Sequence, residues 1–173
     1  FEKLVYGGLT KVFAGIVIAP IGGIIFGLLV TTLIITLFAS RKPGPVNKTF
    51  GRLQIISSAW FALTHGANDG QKTMGIIVLI LFSAGLIPDL EMPLWVIFAA
   101  ATAMGLGTFF GGYKVIKTLG VKITKLKPYQ GFAAETSGGL MLAVFAVFGI
   151  PASTTHAITG TIMGSGAARR KRA

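Results

Sequence analysis

The amino-acid sequence predicts an all-α integral membrane protein, a polytopic bundle of helices, and three observations lead to this fold class. Of the 173 residues, 53% are hydrophobic and only 12% are charged, whereas soluble domains carry about 25% charged residues. The apolar residues are concentrated in runs of about 18 residues or more, which is long enough for a transmembrane helix. Glycine is abundant, at 24 residues, as is common where membrane helices pack closely.

The net charge of +11 would by itself suggest a nucleic-acid partner, but the positions of the basic residues argue against one. Most of the 16 Lys and Arg residues lie in three clusters between apolar runs. The clusters are Arg41, Lys42, Lys48 and Arg52; Lys114, Lys117, Lys122, Lys125 and Lys127; and Arg169 to Arg172. Such clusters are typical of cytoplasmic loops, so we expect membrane lipid and no nucleic acid around this chain.

The first half of the chain predicts one plain span and one interrupted segment. Residues 12–39 form an apolar run that Pro20 should kink, and residues 41–52, with their Pro-Gly-Pro sequence, read as a basic loop. Residues 53–87 would make a helix of about 52 Å, which exceeds the hydrocarbon thickness of about 30 Å. Because the polar residues 64–72 divide this segment, we expect a discontinuous helix or a re-entrant hairpin.

The second half predicts two plain spans and a further irregular segment. Residues 93–112 form a span with Trp95 and Tyr113 near its ends, as in aromatic belts, and residues 131–149 form another. Residues 150–168 begin with polar residues and contain several glycines, so we expect a re-entrant or broken helix there. If all three basic clusters are cytoplasmic, the count of crossings places Phe1 outside and Ala173 inside.

Ionisable residues at predicted membrane depth are the first candidates for function. They are Asp69 with its neighbour Lys72, Glu135 and His156. A charge at that depth costs at least about 2.5–3.5 kcal/mol, so each must pair, face water or bind an ion. One interpretation is a structural ion pair such as Asp69 with Lys72, and the other is an ion or proton pathway.

Two polar motifs add to this pattern. In the segment from His65 to Gly70, the oxygens of Asn68 and Asp69 and free carbonyls at a helix break could hold a small cation, although such a sequence is also common in turns. In the segment from Pro151 to His156, proline and hydroxyl residues predict a helix start. A helix N-terminus binds anions readily, although the hydroxyls could equally serve as ordinary caps.

Enzymatic sites find no support in the sequence. Gly105-Leu106-Gly107 lacks the third glycine of a dinucleotide fingerprint, and no phosphate-binding loop with a lysine is present. The chain has no cysteine and only two histidines, which gives no metal-site pattern. We therefore expect no catalytic residues, no metal site and no cofactor.

Three motifs, in order along the chain, give a specific resemblance. They are Gly66-Ala67-Asn68-Asp69-Gly70-Gln71-Lys72, Gly131-Phe132-Ala133-Ala134-Glu135 and Pro151-Ala152-Ser153-Thr154-Thr155-His156. Through them, residues 51–168 resemble the inorganic phosphate transporter (PiT) family of cation–phosphate symporters. That family is built from two inverted repeats with discontinuous or re-entrant helices, and each repeat has its own copy of these motifs.

The resemblance implies roles for particular residues. Phosphate would be bound by Asn68, Asp69, Ser153, Thr154 and Thr155, and the coupling cation by Asn68, Asp69 and Glu135. The coupling ion, a proton or sodium, would be the only species needed besides inorganic phosphate. Because each motif occurs once here, we expect the second repeat of the family, cut at both ends, with the first repeat as its missing partner and a homodimer as an open alternative.

The predicted organisation and function follow from these points. Residues 1–50 would hold one transmembrane helix and a basic cytoplasmic loop, residues 51–168 the repeat, and residues 169–173 a basic tail. The function predicted is secondary transport of inorganic phosphate, free or as a metal–phosphate complex, in a multi-pass protein of the cell membrane. The alternatives are a carrier of another oxyanion, such as sulfate or arsenate, and a structural membrane subunit that transports nothing.

Overall fold

The computed structural model describes residues 2–118, 125–150 and 152–170. Predictions that fall on Lys122, Pro151 and residues 171–173 therefore lie outside the described residues. The described part forms five α-helices: α1 (Glu2–Leu37), α2 (Pro43–Ser83), α3 (Leu94–Lys117), α4 (Pro128–Val147) and α5 (Thr154–Arg170). No strand occurs in this part of the chain, which agrees with the predicted all-α class.

Two of these helices are long and apolar enough to cross a membrane. They are α1, over Leu9–Leu37, and α3, over Leu94–Lys114. Large hydrophobic side chains on both are exposed, for example Phe13 at 67% and Phe109 at 80%. Burial of apolar surface normally drives such residues inside, and exposure of this kind agrees with the predicted membrane class. Trp95 and Tyr113 are also exposed, near the two ends of α3.

The predicted break at residues 64–72 is wrong, because α2 is one continuous helix of 41 residues. The polar residues in this stretch satisfy one another along the helix. The Asn68 side-chain amide donates to the Thr64 carbonyl at 2.9 Å, and Asp69 pairs with His65 and Lys72 at i−4 and i+3. Pairs at this spacing stabilise a helix, and a glycine in a helix interior costs only about 1 kcal/mol.

The predicted basic loop over residues 41–52 is also wrong for most of its length. Helix α2 begins at Pro43, with Lys42 as its N-cap, so Lys48 and Arg52 lie on its first turns. Proline suits the first turn of a helix, because the N–H that it lacks has no intrahelical acceptor there. The Pro-Gly-Pro sequence therefore marks a helix start rather than a loop.

The segment after α4 contains a single unbroken helix among the described residues, so the broken helix expected as one alternative over residues 150–168 is wrong, and the re-entrant alternative stays a prediction. Helix α4 ends at Val147; Gly149 follows with a φ of +60°, and the Ile150 N–H donates to the Phe145 carbonyl at 2.9 Å. Glycine favours this left-handed conformation at a helix C-terminus. Helix α5 then begins at Thr154, which agrees with the predicted helix start.

The glycines of α5 lie against the backbone of α1 instead of breaking their own helix. A Cβ added at Gly160 would collide with the Pro20 carbonyl oxygen, and one at Gly164 with the Ile24 carbonyl oxygen. The Ser165 hydroxyl donates to the Gly27 carbonyl oxygen at 3.3 Å. Residues farther along α1 contact residues farther along α5, so the two helices are parallel, and their backbones are in contact.

A small hydrophobic cluster and one hydrogen bond show which helix ends lie together. Near one end, Ile34 of α1, Phe50 of α2 and Ala133 of α4 pack together. Gln130 at the start of α4 also donates to the Ser165 carbonyl of α5 at 2.9 Å. The end of α1, the starts of α2 and α4 and the end of α5 therefore lie at one end of the bundle, together with Arg41, Lys48 and Lys127. Which side of a membrane this end faces stays a prediction.

Candidate anion-binding site

The carboxylate of Asp69 is the centre of a polar cluster between α2 and α5. One of its oxygens, Oδ2, lies 2.9 Å from His65 Nε2 and accepts a hydrogen bond from Thr154 Oγ1 at 2.9 Å. The other oxygen, Oδ1, accepts from Lys72 Nζ at 3.0 Å. Three donors from two helices thus converge on one carboxylate, which joins the middle of α2 to the first residue of α5.

Lys72 extends this connection to the backbone before α5. Its ammonium group donates to the Ala152 carbonyl oxygen at 2.9 Å as well as to Asp69. About half of the Lys72 side chain is still exposed. Since an ammonium group has three donors, one donor remains for a further acceptor.

The start of α5 has the geometry of a capped helix N-terminus. The Ser153 hydroxyl accepts a hydrogen bond from the His156 N–H at 3.3 Å, which makes Ser153 the N-cap. The first intrahelical bond runs from the Ala157 N–H to the Ser153 carbonyl at 3.0 Å. Helix geometry leaves the N–H groups of Thr154 and Thr155 without intrahelical acceptors, and the helix dipole places partial positive charge beside them.

An open cavity of about 330 Å³ lies over this helix start. Its polar lining is supplied by Asp69 and Lys72 of α2 and by Ser153, Thr154 and Thr155, while Val12 and Ile16 of α1 form an apolar side. A cation, hydroxyl groups and a helix N-terminus on one cavity are the features that bind a tetrahedral oxyanion.

Four of the five residues predicted to bind phosphate meet at this cavity. Asn68 does not line it, because that side chain is buried and bonded to its own helix. The alternative, purely structural roles of these residues are also present in part. The Asp69–Lys72 ion pair forms, and the Ser153 hydroxyl caps α5. Pro151 lies outside the described residues, and His156 is exposed on α5.

Glu135 belongs to a separate cluster. Its carboxylate accepts a hydrogen bond from the Ser57 hydroxyl at 2.5 Å and a second from the Gln54 side chain. Ser57 and Asp69 are 12 residues apart on α2, which corresponds to about 18 Å along the helix. The structure therefore does not bring Glu135 together with Asn68 and Asp69, as one shared cation site would require.

The sequence reasoning missed the polar residues around Glu135. Gln54 and Ser57 lie on α2, and a Cβ added at Gly131 of α4 would collide with the Gln54 amide. Gln130, which is 1% exposed, bonds to the Ser165 carbonyl and to the Lys127 N–H. A signal existed in the glycines of α4, which allow side chains of α2 to lie against that helix, but only the structure identifies which side chains do so.

Comparisons with known proteins support the resemblance found in the sequence. The model of the phosphate transporter family matches residues 39–173. A protein of Rhizobium meliloti named "Probable low-affinity inorganic phosphate transporter" is 46% identical over 98% of this chain and 51% of its own length. A protein of Bacillus subtilis with the same name is 40% identical over 98% of this chain and 51% of its own length.

A solved structure supports the fold. The chain titled "The sodium-dependent phosphate transporter" matches with a TM-score of 0.74 at 24% identity, over 95% of this chain and 58% of that one. The chain described here thus spans about half the length of the curated relatives it matches. These relatives are named as transporters and not as enzymes, which confirms the prediction that the chain is not an enzyme. With the family model matched over 135 of its 173 residues, the chain belongs to the phosphate transporter family.

Proposed function

We propose that the chain is one half of a multi-pass cell-membrane protein that carries inorganic phosphate in symport with a cation. The observation that carries this proposal is the cavity at the start of α5, where Lys72, Ser153, Thr154 and Thr155 meet. Family membership supports phosphate as the cargo. The cavity independently supports an oxyanion as the cargo, because its donors suit one.

In this proposal, phosphate binds against the N-terminus of α5. Its oxygens accept hydrogen bonds from the free N–H groups of Thr154 and Thr155, from the hydroxyls of Ser153 and Thr155, and from the remaining donor of Lys72. Asp69 holds Lys72 and Thr154 in position, and it can also accept the proton of a protonated phosphate. The carboxylate of Asp69, whose side chain is 28% exposed and lines the cavity, further provides a ligand for a coupling cation, so that both charges bind together.

Glu135 and Asn68 have different roles in this proposal. Glu135 contacts Ser57, which lies about 18 Å from Asp69 along α2. It is a second carboxylate at membrane depth and serves a cation at another point of the pathway. Its hydrogen-bond partners, Ser57 and Gln54, are neutral, so its charge is free to attract a proton or sodium. Asn68 maintains the helical register beneath Asp69 through its bond to Thr64, and it reaches phosphate only if that bond opens.

The cavity is open, so we further propose that another part of the transporter completes it. The first of two inverted repeats is the favoured source of the missing ligands, since the chain spans half the length of its relatives. A second copy of the chain, in a homodimer, is the alternative. In either case the described half supplies the basic and hydroxyl side of the phosphate site.

Uptake of radiolabelled phosphate into proteoliposomes that contain the full-length protein tests the proposal. Asp69→Asn and the double variant Ser153→Ala/Thr154→Ala should each reduce uptake at least about ten-fold. The first removes the charge that holds Lys72 in place, and the second removes the Ser153 hydroxyl from the anion and the Thr154 contact with Asp69. Asp89→Asn, in an exposed connection, and Ser83→Ala/Thr118→Ala, at exposed helix ends, are the matched controls and should retain uptake. Unchanged uptake in both site variants would exclude this assignment.

Two further arms of the same experiment separate the alternatives. Imposed sodium and proton gradients, applied one at a time, identify the coupling ion; the neighbouring structure is titled sodium-dependent, so the sodium arm comes first. Competition by sulfate and arsenate identifies a carrier of another oxyanion. If no ion gradient drives uptake and the site variants lose only thermal stability, the chain is a structural subunit instead.

A further inference from the structure

A second cavity lies at the basic end of the bundle, away from the phosphate site. It has a volume of about 210 Å³ and is formed where α1 ends and where α2 and α4 begin. Its wall is apolar, with Ile34, Ile35, Phe38 and Val46 among the lining residues. An apolar wall of this kind suits a hydrocarbon chain and not a small hydrated ion.

Two positive charges line the same cavity. Arg41, in the connection between α1 and α2, and Lys127, the residue before α4, both contribute to it and are both exposed. Neither forms a salt bridge with a carboxylate among the described residues, where both ion pairs involve Asp69. The N-cap of α2, Lys42, makes no side-chain hydrogen bond to its helix, so the positive end of that helix dipole adds to the field.

One residue that lines the cavity also has an acceptor that lacks a donor. Asn47, on the first turns of α2, has a buried Oδ1 atom with no hydrogen-bond partner. A buried amide oxygen needs a donor, and the neighbouring basic residues do not supply it. A ligand that fits here should therefore combine an apolar chain, a negative charge and a hydroxyl group.

We propose that this cavity binds an anionic phospholipid with a hydroxyl-bearing headgroup, of which phosphatidylglycerol is the test case. An acyl chain lies along Ile34, Ile35 and Phe38, and the phosphate lies between Arg41 and Lys127. A headgroup hydroxyl donates to Asn47 Oδ1 when that side chain turns toward the cavity. The location agrees with the predicted cytoplasmic side, where basic pockets between membrane helices meet anionic lipids.

Native mass spectrometry of the purified protein, titrated with phosphatidylglycerol or phosphatidylcholine, measures this binding. The variant Arg41→Gln/Lys127→Gln should weaken phosphatidylglycerol binding on the order of ten-fold or more, since each basic residue near an anionic surface contributes roughly five-fold. The matched control is Lys48→Gln/Lys125→Gln, which removes two exposed charges of this end that do not line the cavity. The control should bind phosphatidylglycerol within about two-fold of the unaltered protein.

A second variant tests the headgroup contact. Asn47→Leu should abolish any preference for phosphatidylglycerol over phosphatidic acid, whose headgroup carries no glycerol hydroxyl, while both lipids still bind. If the double variant does not fold, Arg41→Gln and Lys127→Gln can be measured singly, each with an expected loss of about five-fold. Equal phosphatidylglycerol binding in the cavity and control variants, or equal binding of phosphatidylcholine, would overturn the proposal.

Discussion

The contact between α1 and α5 allows a sharp prediction about packing. A Cβ added at Gly164 would lie 2.9 Å from the carbonyl carbon of Ile24 and 2.9 Å from the N atom of Leu28. Non-bonded carbon atoms prefer separations of about 3.5–4.0 Å, so Gly164→Ala must move the two helices apart by roughly 0.5–1 Å. The colliding atoms are backbone, which cannot rotate away as a side chain can.

The expected cost follows from comparison with a glycine that has space. Gly66 on α2 has no atom within 4 Å of an added Cβ. Replacing a helical glycine by alanine gains about 0.5–1 kcal/mol in either helix, so this gain cancels in the comparison. What remains for Gly164→Ala is the cost of overpacking, about 1–3 kcal/mol.

Thermal unfolding of the purified protein in detergent, followed by tryptophan fluorescence at one heating rate, measures the difference. At about 2–4 °C per kcal/mol for a chain of this size, Gly164→Ala should unfold about 2–12 °C below Gly66→Ala. Equal unfolding temperatures for the two variants would refute the close approach of α1 and α5. A strong loss of stability in Gly66→Ala would instead refute the continuous helix α2.

Three more predictions concern one backbone conformation and two polar contacts. Gly85, two residues after the end of α2, has a φ of +68°, so Gly85→Ala should destabilise the protein by about 1 kcal/mol in the same unfolding assay. Lys72→Met removes the ammonium group that joins Asp69 to Ala152, so phosphate binding should weaken at least about ten-fold, while Lys48→Met leaves it unchanged. Ser57→Ala and Glu135→Gln change opposite sides of one hydrogen bond. A double-mutant cycle of unfolding free energies should give a coupling of about 1–3 kcal/mol. A coupling near zero would show that the bond contributes nothing to stability.

The membrane class and the general order of the helices could be predicted from composition and from apolar runs. These features depend on local sequence and on transfer to lipid, which a single chain reveals directly. The helix start at Thr154 could also be predicted, because Ser153 at the N-cap is a local signal. The same reasoning identifies the hydroxyls of α5 as candidates, whereas Lys72 is predicted only as an ionisable neighbour of Asp69 and not as a phosphate ligand.

The continuity of α2 could not be predicted by the same reasoning. Glycines and polar residues in an apolar segment are compatible with a break and equally with a helix whose side chains bond along it. The bonds from Asn68 to Thr64 and from Asp69 to His65 decide the matter, and their formation depends on rotamers and neighbours that the sequence does not specify. The glycines of α5 were misread for a similar reason, since their use is to admit α1.

The separation of Glu135 from Asp69 also lay beyond sequence reasoning. Both carboxylates were expected at membrane depth, but depth alone does not give the register of α2 against α4. That register is determined by contacts such as Ser57 with Glu135 and Trp60 with Gly139. In the proposed mechanism, the cluster around Asp69 serves the phosphate cavity, and the cluster around Glu135 serves a second cation position.

Equilibrium binding of radiolabelled phosphate to the purified full-length protein tests the central claim most directly. It compares Ser153→Ala/Thr155→Val, which removes two hydroxyls from the cavity, with Ser83→Ala/Thr118→Ala, which removes two exposed hydroxyls elsewhere. If the cavity at the start of α5 holds phosphate, the first variant should bind at least about ten-fold more weakly, since two hydrogen bonds to an anion are lost. The control should match the unaltered protein. An unchanged dissociation constant in the first variant would contradict the assignment of this cavity to phosphate.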